Sequence, residues 1–139
     1  MKSNERINII VVNNQAETLE PFFNCLEFDG INCKVNNAYN GIQALTRENP
    51  FGYHFAIIDA STDTLYSPGR QSVEREHTLS ETWKSQNPEL IIVGTSVQAS
   101  RFEQINGSYD ETLIFSHLFS KEFKEILRKY GFIEQEAKV

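Results

Sequence analysis

Asp59 closes the run Tyr53-His54-Phe55-Ala56-Ile57-Ile58. Ala56, Ile57 and Ile58 have no polar residue between them, the pattern of a strand buried on both faces inside a parallel sheet. A carboxylate directly after such a strand stands at its C-terminal end, the edge along which open α/β sheets build their sites. Alone, it hydrogen-bonds nearby backbone N–H groups; with the right neighbours it becomes a working site. Two other apolar runs end in polar groups: Ile7 to Val12 leads into Asn13-Asn14-Gln15, and Leu90 to Val93 into Gly94-Thr95-Ser96.

Other chemistry is sparse. The chain has no Gly-rich phosphate loop of the dinucleotide or P-loop type and no Gly-x-Ser-x-Gly elbow. Cys25 and Cys33 sit beside no plausible base and read as reduced, buried thiols of a cytosolic protein. His54, His77 and His117 lack metal-ligand spacing. No enzyme is read here, and no metal site.

The elements that position these residues follow from periodicity. Ile7-Asn8-Ile9-Ile10-Val11-Val12 is a β-branched strand. Leu19, Phe22, Phe23 and Leu26 then fall at helical spacing, with Cys25 close to the same face. Pro21 restricts that helix to a start near Thr18 or a kink, and Gly30 stops it. Ile31 to Val35 alternates as a strand near an edge. Asn40 caps a helix carrying Ile42, Ala44 and Leu45, ended by Asn49-Pro50-Phe51-Gly52. Tyr53 to Ile58 is the third strand. Ala60 to Gln71 reads as a long loop, Thr78 to Gln86 as a helix, and Leu90 to Val93 as the fourth strand. A weak helix is anchored by Phe102 and Ile105. Thr112 to Phe115 is the fifth strand, and Ser120 is expected to cap a last helix with Phe123, Ile126, Leu127 and Tyr130, closed by Gly131. Strands alternating with helices imply a doubly wound five-stranded parallel sheet, an α/β fold with helices on both faces. One domain spans residues 1–132, and residues 133–139 read as a frayed tail or the start of a linker.

At 139 residues with 40% hydrophobic and 23% charged residues, the chain has the composition of a single globular domain. Ten phenylalanines point to a core partly filled by aromatic rings. The net charge of −6, with no Lys/Arg cluster, argues against a nucleic-acid surface. The apolar runs are too short to cross a membrane.

This order, with an acid after the third strand, resembles the receiver domain of bacterial response regulators, in the flavodoxin-like topology. The resemblance covers about Ile7 to Tyr130. Ala38-Tyr39-Asn40-Gly41-Ile42-Gln43-Ala44-Leu45 looks like the family's Asn/Asp-Gly-x-x-Ala-Leu helix start, and His117-Leu118-Phe119-Ser120 looks like its Lys-Pro-Phe-Ser. The separations of Asn14 from Asp59 and of Thr95 from His117 match the family's. The resemblance implies that Asp59 holds the phosphoacceptor place. It puts Asn13 and Asn14 where the family has two acids, Thr95 where it has Thr or Ser, and His117 where it has Lys.

The departures carry the functional expectation. The family's two acids and its Asp hold Mg²⁺, a hard ion that wants charged oxygens; Asn13 and Asn14 offer neutral amides. His117 is shorter than Lys and only partly charged near neutral pH. Phosphoryl transfer depends on positioning and charge neutralisation, so Mg²⁺ binding is expected to be weak or lost and Asp59 inactive. The expected function is a pseudo-receiver: a cytoplasmic two-component module binding a protein partner (a sensor kinase, an output domain or a second copy). The resemblance implies an interaction face of roughly Phe102 to Tyr130, with Phe102, Ile114, Phe123 and Tyr130 as its candidates. The alternatives are a receiver phosphorylated on Asp59 in a phosphorelay, and a flavodoxin-like small-ligand binder, for which Asn13-Asn14-Gln15-Ala16 is not the needed phosphate loop.

Overall fold

The computed structural model describes residues 6–63, 65, 78–97, 108–116 and 118–134. Five strands, β1 (Ile7–Val12), β2 (Cys33–Ala38), β3 (Phe55–Asp59), β4 (Ile91–Ser96) and β5 (Glu111–Ile114), form one parallel sheet in the order β2-β1-β3-β4-β5. Among the described residues the helices are α1 (Glu20–Phe28), α2 (Gly41–Arg47), α3 (Leu79–Gln86) and α4 (Phe119–Lys129). None among the described residues is long and apolar enough to cross a membrane.

Alternate residues of the central strands feed two cores. Ile9, Val11, Phe55, Ile57 and Val93 pack with α1 and α4, through Phe23, Leu26, Phe119, Phe123 and Leu127. Ile10, Val12, Ala56, Ile58 and Ile92 pack with Ala44 of α2 and Leu79 and Trp83 of α3. Both faces of β3 are therefore covered, which is why Phe55 to Ile58 tolerates no polar residue. β2, at the sheet edge, runs over Cys33–Ala38 rather than the expected Ile31 to Val35, and buries only Cys33 and Ala38. The aromatic content concentrates on the α1/α4 side. There Phe23, Phe55 and Phe119 each meet Phe123, at centroid separations of 6.1, 5.5 and 6.1 Å.

Local chemistry sets the helix ends. Pro21 sits in the first turn of α1, after a 3₁₀ turn at Ala16–Leu19, where its missing N–H costs nothing. Gly30 and Gly131, both at positive φ, close α1 and α4. Ile31 N–H reaches back to Leu26 O at 3.0 Å and Phe132 N–H to Leu127 O at 2.8 Å. Asn40 Oδ1 accepts from Gln43 N at 2.8 Å, and Thr78 Oγ1 from Glu81 N at 3.1 Å, capping α2 and α3.

Other expectations change as well. β3 begins at Phe55 and includes Asp59, because Tyr53 and His54 precede the pairing with β1 and β4. Ser120 lies inside α4 rather than capping it; the helix starts at Phe119 without a side-chain cap, and Ser116 Oγ instead receives Leu118 N–H at 3.2 Å. Cys25 is exposed, since α1 turns Phe23 and Leu26 inward and leaves position 25 outside that stripe; Cys33 is buried, and both are free thiols. Ile133, assigned to the tail, packs against the α1/α4 core. The helix expected around Phe102 and Ile105 lies outside the described residues.

Candidate functional site

The C-terminal ends of β1, β3 and β4 lie side by side, and each ends in polar residues. A cleft of about 230 Å³ opens above them. Asn13, Asn14 and Thr18 line it from the β1 side, Asp59 and Ser61 from β3, Ser96 and Val97 from β4, and Phe115 from just beyond β5.

Each wall is locally held. Asn13 Oδ1 accepts from Gln15 N at 2.9 Å, so the turn after β1 is folded onto its own side chain. Thr62 Oγ1 donates to Val12 O at 3.1 Å and to Asp59 O at 3.0 Å, tying the exits of β1 and β3 together. Asp59 caps the 3₁₀ turn Ala60–Thr62: its Oδ2 accepts from Ser61 N at 3.1 Å and from Ser61 Oγ.

The structure brings Asn13, Asn14 and Asp59 into one cleft. Thr95 is different. It pairs with Asp59 across β3 and β4, but it is buried and does not line the cleft; its Oγ1 has no hydrogen-bond partner. The hydroxyl β4 contributes to the wall is Ser96. Its signal in the sequence was only that it follows Thr95 at the same strand end. His117 lies outside the described residues.

These donors do not fit Mg²⁺. Of Asn13, Asn14 and Asp59, which share the cleft, only Asp59 is charged, and one of its oxygens is engaged by Ser61. The amide oxygen of Asn13 is engaged by the backbone of Gln15. A hard divalent ion needs several charged oxygens in octahedral array. Among the described residues, no group of three His, Cys, Asp or Glu is placed to hold a metal ion.

A second polar group, beside this cleft, had no signature in the sequence. Asp63, fully buried, accepts at Oδ1 from Ser80 N at 2.7 Å, and at Oδ2 from Ser80 Oγ at 2.6 Å and Tyr109 Oη at 2.8 Å. Ser108 N donates to Ser80 Oγ at 2.9 Å. Burial pushes the Asp63 carboxyl up, against the pull of the Ser80 and Tyr109 hydrogen bonds. The Tyr109 phenol is pushed up by burial and by the negative charge of Asp63. The set joins the exit of β3 to the start of α3 and the approach to β5.

The face expected to meet a partner divides. Ile114 is exposed, at 39%. Phe123 is not on the surface: it is fully buried because the apolar stripe of α4 is spent on the sheet. Tyr130 packs against the same core, and its hydroxyl donates to Glu111 Oε2 at 2.7 Å. Phe102 lies outside the described residues.

The fold is shared with solved receiver domains. The chain is similar to response regulator TrrA from Thermotoga maritima in complex with Mg(2+)-BeF, at TM-score 0.61 and 21% identity over 88% of this chain and 97% of that one. It is similar to a CheY-like receiver domain protein from Methanospirillum hungatei, at 0.59 and 15% over 91% and 94%. It is similar also to the non-phosphorylated HemR receiver domain from Leptospira biflexa, at 0.60 and 18% over 95% and 99%. No protein-family model and no curated protein sequence matches the chain. The five-stranded order β2-β1-β3-β4-β5 with helices on both faces is the receiver fold.

Proposed function

We propose that this chain is a receiver-like module of two-component signalling that acts through protein contacts, without Mg²⁺-dependent phosphorylation of Asp59. The observation that carries the reading is the cleft itself. Asp59 ends β3, where the resemblance to receivers expects the phosphoacceptor; it shares the cleft with Asn13 and Asn14 and is tied back to Ser61. An incoming phosphoryl group brings negative charge to a site that already holds one carboxylate. Among the described residues, no lysine or arginine lines the cleft to offset it. Transfer that depends on charge neutralisation is disfavoured under those conditions. The scaffold and its exposed rim at Val97, Ile114 and Leu118 remain for a partner: a kinase, an output domain or another copy.

The test is intact-protein mass after incubation with Mg²⁺ and a small acyl-phosphate donor. No phosphate-sized increase is expected. A stoichiometric adduct that disappears in Asp59→Ala would establish the second reading, a phosphorelay receiver, which the placement of Asp59 in an open cleft favours.

A further inference from the structure

The cleft holds one charge and no counter-charge among its described lining. A carboxylate has about four acceptor positions, and Ser61 uses only Oδ2; Oδ1 of Asp59 receives no hydrogen bond from a described residue. The rest of the described wall is uncharged, with amide and hydroxyl groups from Asn14, Gln15, Thr18, Ser61 and Ser96 and the Phe115 ring on one side. Thr95 supplies an independent observation. Register places it opposite Asp59 in neighbouring parallel strands, on the same face of the sheet, and its buried Oγ1 lacks a partner. Buried hydroxyls are normally paired, so this strand end carries unused hydrogen-bonding capacity beside a carboxylate whose described hydrogen bonds reach only Oδ2.

We infer that the cleft binds a monovalent organic cation, a guanidinium, seated on Asp59. A guanidinium presents planar donors that match a carboxylate, is weakly hydrated and stacks on aromatic rings. It needs one negative charge, which Asp59 supplies, and a neutral acceptor such as the amide oxygen of Asn14, whereas Mg²⁺ needs more charge than is present. The volume of about 230 Å³ suits one side-chain head rather than a large ligand. The net charge of −6 attracts cations from a distance. The inference rests on the proposed function, in that Asp59 is taken as free of phosphate. The guanidinium is either a free small molecule or the arginine side chain of a partner protein.

Amide-resolved NMR of the protein titrated with methylguanidinium tests it. The expected result is saturable shifts at Asn13, Asn14, Asp59, Ser61 and Val97 with a Kd of millimolar order, absent with the neutral isostere N-methylurea and lost in Asp59→Asn. Ser61→Ala, which removes one hydroxyl from Asp59, is expected to tighten binding, so the inference stays testable if Asp59→Asn fails to fold. No saturable shift up to about 100 mM, equal shifts with N-methylurea, or shifts unchanged in Asp59→Asn would overturn it. A short neutral peptide with one central arginine, saturating at about tenfold lower concentration than methylguanidinium, assigns the source to a partner chain; equal affinity assigns it to a free small cation. The phosphodonor experiment is separate: an adduct on Asp59 overturns the proposed function, while a negative titration without an adduct overturns this inference alone.

Discussion

Gly94 and Tyr109 make each other necessary. A Cβ on Gly94 would stand 2.8 Å from the Tyr109 ring, closer than such contacts occur. The ring cannot slide away freely, because its hydroxyl is held by Asp63. Gly94→Ala is therefore expected to destabilise the fold by about 1–3 kcal/mol, the usual cost of overpacking. Chemical denaturation measures it, and combining Gly94→Ala with Tyr109→Leu should cost less than the sum of the two single changes. Asp63 adds a pH dependence. Burial raises its carboxyl pKa in the folded state, so the folded protein binds this proton more tightly than the unfolded chain. Its contribution is then most favourable below the unfolded carboxylate range, near pH 3.9, and is lost as pH rises through the raised folded value. Asp63→Asn cannot ionise, so its stability relative to the parent should increase as pH rises across that window and then level off. Denaturation midpoints across the acid range decide it; a parallel pair of curves would refute the ionisation account. Neither feature was legible from the amino-acid order. Asp63 sits in a stretch of Ser, Thr and Asp that reads as loop, and its partners Ser80 and Tyr109 lie 17 and 46 residues away.

At the scale of the element, α4 shows what a periodic pattern does and does not specify. The spacing of Phe123, Ile126 and Leu127 predicts one apolar face, and that face exists. Periodicity does not say whether the face covers a sheet or awaits a partner. The answer comes from Phe55 and Phe23, which supply the rings that enclose Phe123. Phe123→Ala is accordingly expected to cost about 3–5 kcal/mol by opening a cavity between α4 and β3. The readout is the urea midpoint. A stable variant with an altered partner affinity would mean that Phe123 belongs to the surface after all. Cap residues were partly legible for the same reason. Asn40 and Thr78 bond to the N–H three residues on, a purely local geometry. Ser120 has the right side chain but lies inside the helix, which already begins at Phe119, a residue buried in the core.

For the whole molecule, the order of elements was the most legible property, because continuous apolar runs such as residues 55–58 and 90–93 survive only between two helix layers. The site was legible as an address, since strand ends gather at one edge of such a sheet. Its chemistry was legible only by residue type: amides where charge is needed. That contrast yields a prediction for the intact protein. Ligand that binds only the folded state stabilises it by RT ln(1 + [L]/Kd). With Asn13 and Asn14 neutral, millimolar Mg²⁺ should leave the melting temperature unchanged. Asn13→Asp combined with Asn14→Asp places two more carboxylates beside Asp59, in the same cleft and on the same turn. Without metal, three clustered acids repel and the melting temperature should fall; with Mg²⁺ at about ten times its Kd, binding should return about 1.4 kcal/mol. The sign of the metal effect is then the measurement. A Mg²⁺-dependent rise in the parent protein would show that neutral amides suffice, and no rise in the double variant would show that the turn after β1, folded onto Asn13, holds position 13 away from the metal.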